Sequence, residues 1–317
     1  MMMVFKIWRV SLLLILILPS YSLAVKKQIH KAPFLRFSGD IHVPKINSLN
    51  TYLAFTDKNG FGLNIVQLTT GEITEVSKHK VSHSYFWSPN GYRIFYKEMY
   101  KEDDGIKTEI KAYDLPLEKS ISIDKIDGVT GSLSFDPRDF RFYIYHNKGI
   151  IRHQIQYPGE RLARWQIALK NKVGYWISTD NSIIWVSHGG ISMRKLNSGT
   201  ATITSFDISP DGKSIVWADD NENIYLSEKG QDSVLLAHGL DPKWHPDGNY
   251  ILYSHARFLA NKVIGHDIRI MNKKGVGKFL TKTLGLDERY PVWLHKSSSI
   301  LYTHKSGTDI FEVSFRR

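Results

Sequence analysis

The chain has no cysteine in its 317 residues. Disulfides, thiolate nucleophiles and thiolate metal sites are therefore excluded, and a chain of this size buries enough apolar surface to do without cross-links. Helical periodicity is scarce. The one candidate, Glu160 to Lys172, reads equally well as an outer strand with a long lead-in. No long apolar run follows the first, at Val10 to Leu18, so the mature chain is expected to be soluble and without a membrane span. There is no Gly-x-Ser-x-Gly elbow, no His-Glu-x-x-His helix, no phosphate-binding glycine loop and no EF-hand loop. Each of these absences removes an enzyme class or a cofactor, and none of either is expected. The paired acids Asp103-Asp104 and Asp219-Asp220 read as solvated turn residues.

Acidic residues are also in deficit. Forty-two Lys and Arg face 31 Asp and Glu, a formal net charge of +11. A basic surface favours acidic partners such as an anionic glycan, an anionic lipid or an acidic protein, and equally serves solubility. The only clustering is modest, around Lys148, Arg152, Arg161, Arg164, Lys170 and Lys172. The N-terminus reads as an export signal. Lys6 and Arg9 precede the apolar run, Pro19 breaks it, and Ser22-Leu23-Ala24 offers a small-x-small cleavage site. Residues 1–24 are thus expected to be a signal peptide and 25–317 one domain, periplasmic or secreted. In that location nucleic acid is not an expected partner.

What the sequence has in abundance is repetition. A residue, two apolar residues and an aromatic recur seven times, with anchors at Phe55, Tyr96, Tyr145, Trp185, Trp217, Tyr253 and Tyr302. The spacing, about forty residues, is that of four-stranded propeller blades. Tight-turn signals precede several copies: Ser88-Pro89-Asn90-Gly91, Asp136-Pro137-Arg138-Asp139, Ser209-Pro210-Asp211-Gly212 and His245-Pro246-Asp247-Gly248. An apolar strand end stands before the turn, as at Trp87, Phe135, Ile208, Trp244 and Trp293, and a strand built round an isoleucine follows the anchor, at Ile65, Ile110, Ile151, Ile191, Ile224, Ile268 and Ile310. Near-continuous apolar strands fit sheets covered on both faces. The expected fold is an all-β, seven-bladed β-propeller of four-stranded antiparallel blades. Six blades is the alternative, because the step into the fifth copy is short and squeezes the strand near Ala201-Thr202-Ile203. The last copy ends after three strands, and Ala32 to Phe37 is expected to supply its missing outer strand and close the ring.

The Trp-Ser-Pro-Asn-Gly, Ile-Ser-Pro-Asp-Gly and Trp-His-Pro-Asp-Gly elements at 87–91, 208–212 and 244–248 resemble the repeat of the TolB-type propeller. So do Asp267 to Asn272, Leu280-Thr281 and Tyr290-Pro291-Val292-Trp293. The resemblance implies an exported scaffold that holds protein partners. TolB itself has an α/β domain ahead of a six-bladed propeller, whereas the stretch between Ala24 and the first repeat is too short for a domain. Some TolB-like propellers are metal-assisted lyases of acidic polysaccharides, which makes that chemistry the alternative to a binding scaffold.

Among the 13 histidines, register singles out candidates. Two positions after the anchors stand Asp57, Glu98, Asn147, Ser187, Asp219, His255 and His304. In superposed blades they occupy one face, where polar groups could converge on a ligand or simply begin loops. Two connections on that face, Lys97 to Lys107 and His255 to His266, read as unusually long loops. Their apolar members Met99, Tyr100, Phe258, Leu259 and Val263 are either partner anchors or a plug over the channel. The expected function is protein or peptide binding through this face.

Overall fold

The computed structural model describes residues 34–36, 41–136, 141–146, 149–154, 174–177, 182–186, 193–197, 201–295, 298–305 and 309–315. Residues 1–24, Glu160 to Lys172, Asn147, Ser187, Ile191 and the basic cluster apart from Arg152 lie outside these. Every regular element among the described residues is a strand.

After β1 (Leu35–Arg36) the described strands form five hydrogen-bonded sheets, along which seven successive antiparallel units can be followed. The first holds β2 (His42–Ile46), β3 (Tyr52–Thr56), β4 (Phe61–Gln67) and β5 (Ile73–Lys80). The second holds β6 (Tyr85–Trp87), β7 (Arg93–Glu102), β8 (Gly105–Asp114) and β9 (Lys119–Asp127). The third and fourth show three strands each: β10 (Ser134–Asp136), β11 (Arg141–His146) and β12 (Gly149–Gln154), then β13 (Gly174–Ile177), β14 (Ile183–Val186) and β15 (Met193–Lys195). The fifth and sixth share one long strand. β16 (Ile203–Ile208), β17 (Ser214–Asp219) and β18 (Asn223–Glu228) pair onto the start of β19 (Val234–Trp244). The end of β19 begins the next unit, with β20 (Tyr250–Leu259), β21 (Lys262–Asn272) and β22 (Gly277–Phe279). The seventh is β23 (Glu288–Trp293), β24 (Ser299–His304) and β25 (Asp309–Ser314), with β1 as its fourth strand through the pairs Leu35–Ile310 and Arg36–Asp309. All seven aromatic anchors fall in the second strand of a unit. Ile203, read from sequence as part of a squeezed outer strand, instead opens the innermost strand of the fifth unit.

The core lies between units. Leu53, Phe55 and Val66 of the first pack with Val292, Leu301 and Ile310 of the seventh, while Ala54, Leu63 and Ile65 pack with Trp87, Ile94 and Tyr96 of the second. Successive residues of one strand thus serve opposite neighbours, which is why these strands read as unbroken apolar runs. Phe86 stacks between Phe95 and Phe135, with ring centroids 5.2 and 4.5 Å away. Such stacks add to area burial.

The turns form as their residues require. Ser88 Oγ donates to Asn90 Oδ1 (2.6 Å) and accepts Arg93 N–H (3.0 Å). Ser209 does the same with Asp211 and Ser214 (2.6 and 2.9 Å). Gly91 supplies the positive φ that the turn needs, and a Cβ there would press on Ser48 at 2.9 Å.

A hydrogen bond then ties three of the turn-bearing strands to the preceding unit. Trp87 Nε1 donates to Lys45 O (2.8 Å), Trp244 Nε1 to Asp207 O (3.2 Å) and Trp293 Nε1 to Lys243 O (3.3 Å). The acceptor is always the residue just before the apolar strand end of the earlier unit. Replacing Trp244 by Phe removes the indole donor to the Asp207 carbonyl. It should lower unfolding free energy by about 0.5–1.5 kcal/mol in urea titration followed by circular dichroism. An unchanged midpoint would show that the bond contributes nothing to stability.

Candidate functional site

The innermost strands do not run smoothly. β2, β19 and β23 each carry a register shift, at His42/Lys45, Leu240/Lys243 and Arg289/Val292. Each shift contains a left-handed residue directly before proline: Val43 at φ 48°, Asp241 at 56° and Tyr290 at 53°. Proline normally pushes the residue before it toward extended backbone, and for β-branched Val43 a positive φ is an outlier. Bulges re-aim side chains. Here they precede Lys45 and Lys243.

Lys45, Asp207 and Lys243 occupy one register position, immediately before Ile46, Ile208 and Trp244. All three line a cavity of about 270 Å³ whose walls come from five units: Val43 and Lys45; Ser82, His83 and Ser84; Ser132, Leu133 and Phe135; the β16 run from Ile203 to Ile208; and Lys243. These are residues on or next to the first strands of their units, so the cavity lies where those strands converge, on the axis of a ring if the units close one. Lys45 and Asp207 are partly buried and line this space.

The electrostatics follow from that enclosure. Burial, with the neighbouring Lys243 charge, lowers the Lys45 pKa to about 7, partly offset by Asp207. Burial raises the Asp207 carboxyl above its usual range, against the pull of Lys243 and of the Trp244 N–H, which donates to Asp207 Oδ2 at 2.8 Å. Burial and the Lys45 charge lower His83 to about 4, so the imidazole is neutral at pH 7, with Nδ1 2.6 Å from Thr56 Oγ1. Lys45 Nζ donates to Tyr85 O at 2.5 Å and stands 4.7 Å from the Tyr85 ring centroid. Next to the cavity, Arg289 Nε donates to Asp241 Oδ2 (2.9 Å), which also accepts from Ser254 Oγ (3.2 Å). Burial would raise Asp241, but the guanidinium and these donors hold it below the usual carboxylate range.

None of the described site residues expected from sequence lines this cavity. Asp57 and Asp219 close turns: Asp57 Oδ1 accepts the N–H groups of Asn59 and Phe61 (both 2.8 Å), and Asp219 Oδ1 those of Asn221 and Asn223 (3.0 and 2.8 Å). Glu98 is 2% exposed, held by Ser77 Oγ and Lys111 Nζ, each at 2.5 Å. His255 lies against Phe279, centroids 5.2 Å apart, and burial with the Arg269 charge lowers it to about 4. His304 stacks on Phe311 at 4.2 Å. The two long loops are not loops. β7 and β8 pair as far as Glu102–Gly105, and β20 and β21 as far as Leu259–Lys262. Glu98 and His255 therefore sit inside paired strands, opposite Glu109 and Asp267, since β-rich segments with two short turns extend the ladder instead of ending it. Tyr100 lies back on its own hairpin, its OH donating to Glu109 Oε2 at 3.3 Å. The second hairpin differs: Phe258, Leu259 and Ile264 are 51, 66 and 55% exposed at its tip, with Val263 beside them.

Among the described residues no group of three or more His, Asp or Glu is arranged to hold a metal, and no helix is long and apolar enough to cross a membrane. Trp87, Trp185, Trp217, Trp244 and Trp293 are buried, which leaves them in the packing between units and away from any glycan.

Sequence reasoning missed the cavity residues because it took site candidates from the second strands and from the first read only the apolar end. The signal was present: a charged residue directly ahead of the apolar strand end in three repeats. A pH series tests the placement of Lys45. With the folded pKa below the unfolded one, the unfolded chain binds more protons between about pH 7 and 10.5. Wild type should therefore gain stability relative to Lys45→Met as pH rises through that window. A constant difference in urea unfolding would refute the burial.

No family model matches the sequence, and no curated protein matches it. Solved structures do. The β-propeller domain of Cps50 (Swd1) from Myceliophteria thermophila superposes with a TM-score of 0.54 at 13% identity, over 88% of this chain and 98% of that one. TolB from Acinetobacter baumannii gives 0.45 at 16% identity, over 89 and 65%. An oligogalacturonate lyase in complex with manganese gives 0.45 at 14%, over 90 and 79%. What the chain shares with the Cps50 domain is the fold, an all-β propeller.

Proposed function

We propose that the seven units form one closed ring, exported through a signal at residues 1–24, and that this ring is a non-enzymatic scaffold. It holds a polypeptide partner at the tip of the β20–β21 hairpin. The observation that carries this reading is the exposure of Phe258, Leu259, Val263 and Ile264 at the end of a paired hairpin. Ordered strands present these side chains with little conformational freedom to lose, and apolar anchors on a rigid support are the usual centres of protein interfaces. Their burial against a partner would contribute about 25 cal/mol per Å². Lys262, at the same tip, adds a positive charge that suits an acidic partner surface.

The double variant Phe258→Ser, Leu259→Ser removes exposed apolar area and no core contact. It should leave the melting temperature unchanged and abolish whatever partner wild type captures from an envelope extract after chemical crosslinking. Retention of the same crosslinked species by the variant would overturn the assignment. Export is checked separately: the intact mass of protein recovered from the periplasm or medium should correspond to a chain beginning at Val25, and an N-terminus at Met1 would contradict it.

A further inference from the structure

The cavity between the first strands carries more charge than its structural role needs. Lys243 lines it and makes no side-chain hydrogen bond with a described residue. Among the described residues the cations facing it are Lys45 and Lys243, the anion is Asp207, and His83 is neutral. With the amines protonated the balance is one positive charge. Ser84 Oγ already accepts Leu133 N–H (2.7 Å), and Ser205 Oγ accepts Asp241 N–H (3.2 Å). Each hydroxyl thus retains its own proton for another acceptor. Ser82 Oγ is buried and has no hydrogen-bond partner among the described residues. The rest of the lining divides between polar Ser132 and Thr204 and apolar Val43, Leu133, Phe135, Ile203, Phe206 and Ile208.

We propose that this cavity binds a single carboxylate attached to an apolar body, with the Lys45 and Lys243 ammonium groups on the carboxylate and the apolar part of the lining around the rest. One net positive charge matches a monoanion. Two charge-assisted bonds from ammonium groups in an enclosed space favour that anion strongly. The carboxylate can belong to a free organic acid or to an acidic residue of an inserted polypeptide, and the cavity volume admits either. The site is distinct from the hairpin tip, so it stands whether or not that surface holds a partner.

Calorimetric titration of the full-length mature protein tests it with three probes: phenylacetate, its neutral isostere phenylacetamide, and an end-blocked hexapeptide bearing one glutamate beside a phenylalanine. Phenylacetate or the peptide should bind while phenylacetamide does not, and whichever acid binds identifies the source of the carboxylate. Lys243→Met should weaken binding at least tenfold, because it removes an ammonium with no structural bond. Asp207→Asn should tighten it, because it removes the opposing charge; a merely structural residue would not reverse the sign. Phe258→Ser, Leu259→Ser should leave the affinity unchanged, which separates this site from the partner surface. Equal binding of phenylacetate and phenylacetamide, no binding of either acid, or unchanged affinity in a folded Lys243→Met or Lys243→Gln protein would overturn the proposal.

Discussion

The indole-to-carbonyl hydrogen bond between successive units is the constraint on which the rest of this structure depends. Apolar packing alone would hold two sheets face to face, but it is non-directional and tolerates sliding. The donors at Trp87, Trp244 and Trp293 each find the carbonyl one residue before the apolar strand end of the previous unit. That choice pins the register of neighbouring innermost strands. It also fixes the backbone at Lys45, Asp207 and Lys243, whose side chains reach the cavity. One interaction therefore positions both the fold and the site.

The left-handed residues before proline belong to the same arrangement. Val43, Asp241 and Tyr290 adopt a backbone conformation that costs about 1–3 kcal/mol apiece. The surrounding ladder and packing must outweigh that cost, and the buried Asp241–Arg289 pair, which binds both the Tyr290 amide and Ser254, is one of the elements that does so. The result is a set of bulged inner strands that turn charged side chains inward while the second and third strands stay regular. Strain is concentrated where the polar groups gather, a distribution common at binding sites.

The two proposed sites differ in their physics. Ammonium groups in the cavity would select by charge and size, and the exposed apolar side chains of the hairpin tip would select by shape. The basic balance of the whole chain is not concentrated in either place: Lys107 pairs with Asp104 and Asp127, and Lys273 with Glu228, on the surface. Such exposed pairs contribute little to stability and serve mainly to keep the surface soluble.

Strand order, unit length and turn chemistry were legible in the amino-acid sequence alone. Propensity, the Pro-Asp-Gly and Pro-Asn-Gly turns and the recurring aromatic anchor act over a few residues, and Phe55, Tyr96, Trp217, Tyr253 and Tyr302 lie where their pattern placed them. The extent of the hairpins was not legible, because nothing local distinguishes Lys97 to Lys107 as paired strand from the same residues as loop; the ladder is decided by the partner strand. Nor was the site. Lys45, Asp207 and Lys243 stand tens of residues apart or more, and only the packing and hydrogen bonding between units bring their strands together. Local chemistry dictated the repeating unit, and long-range packing dictated which of its residues would face one another.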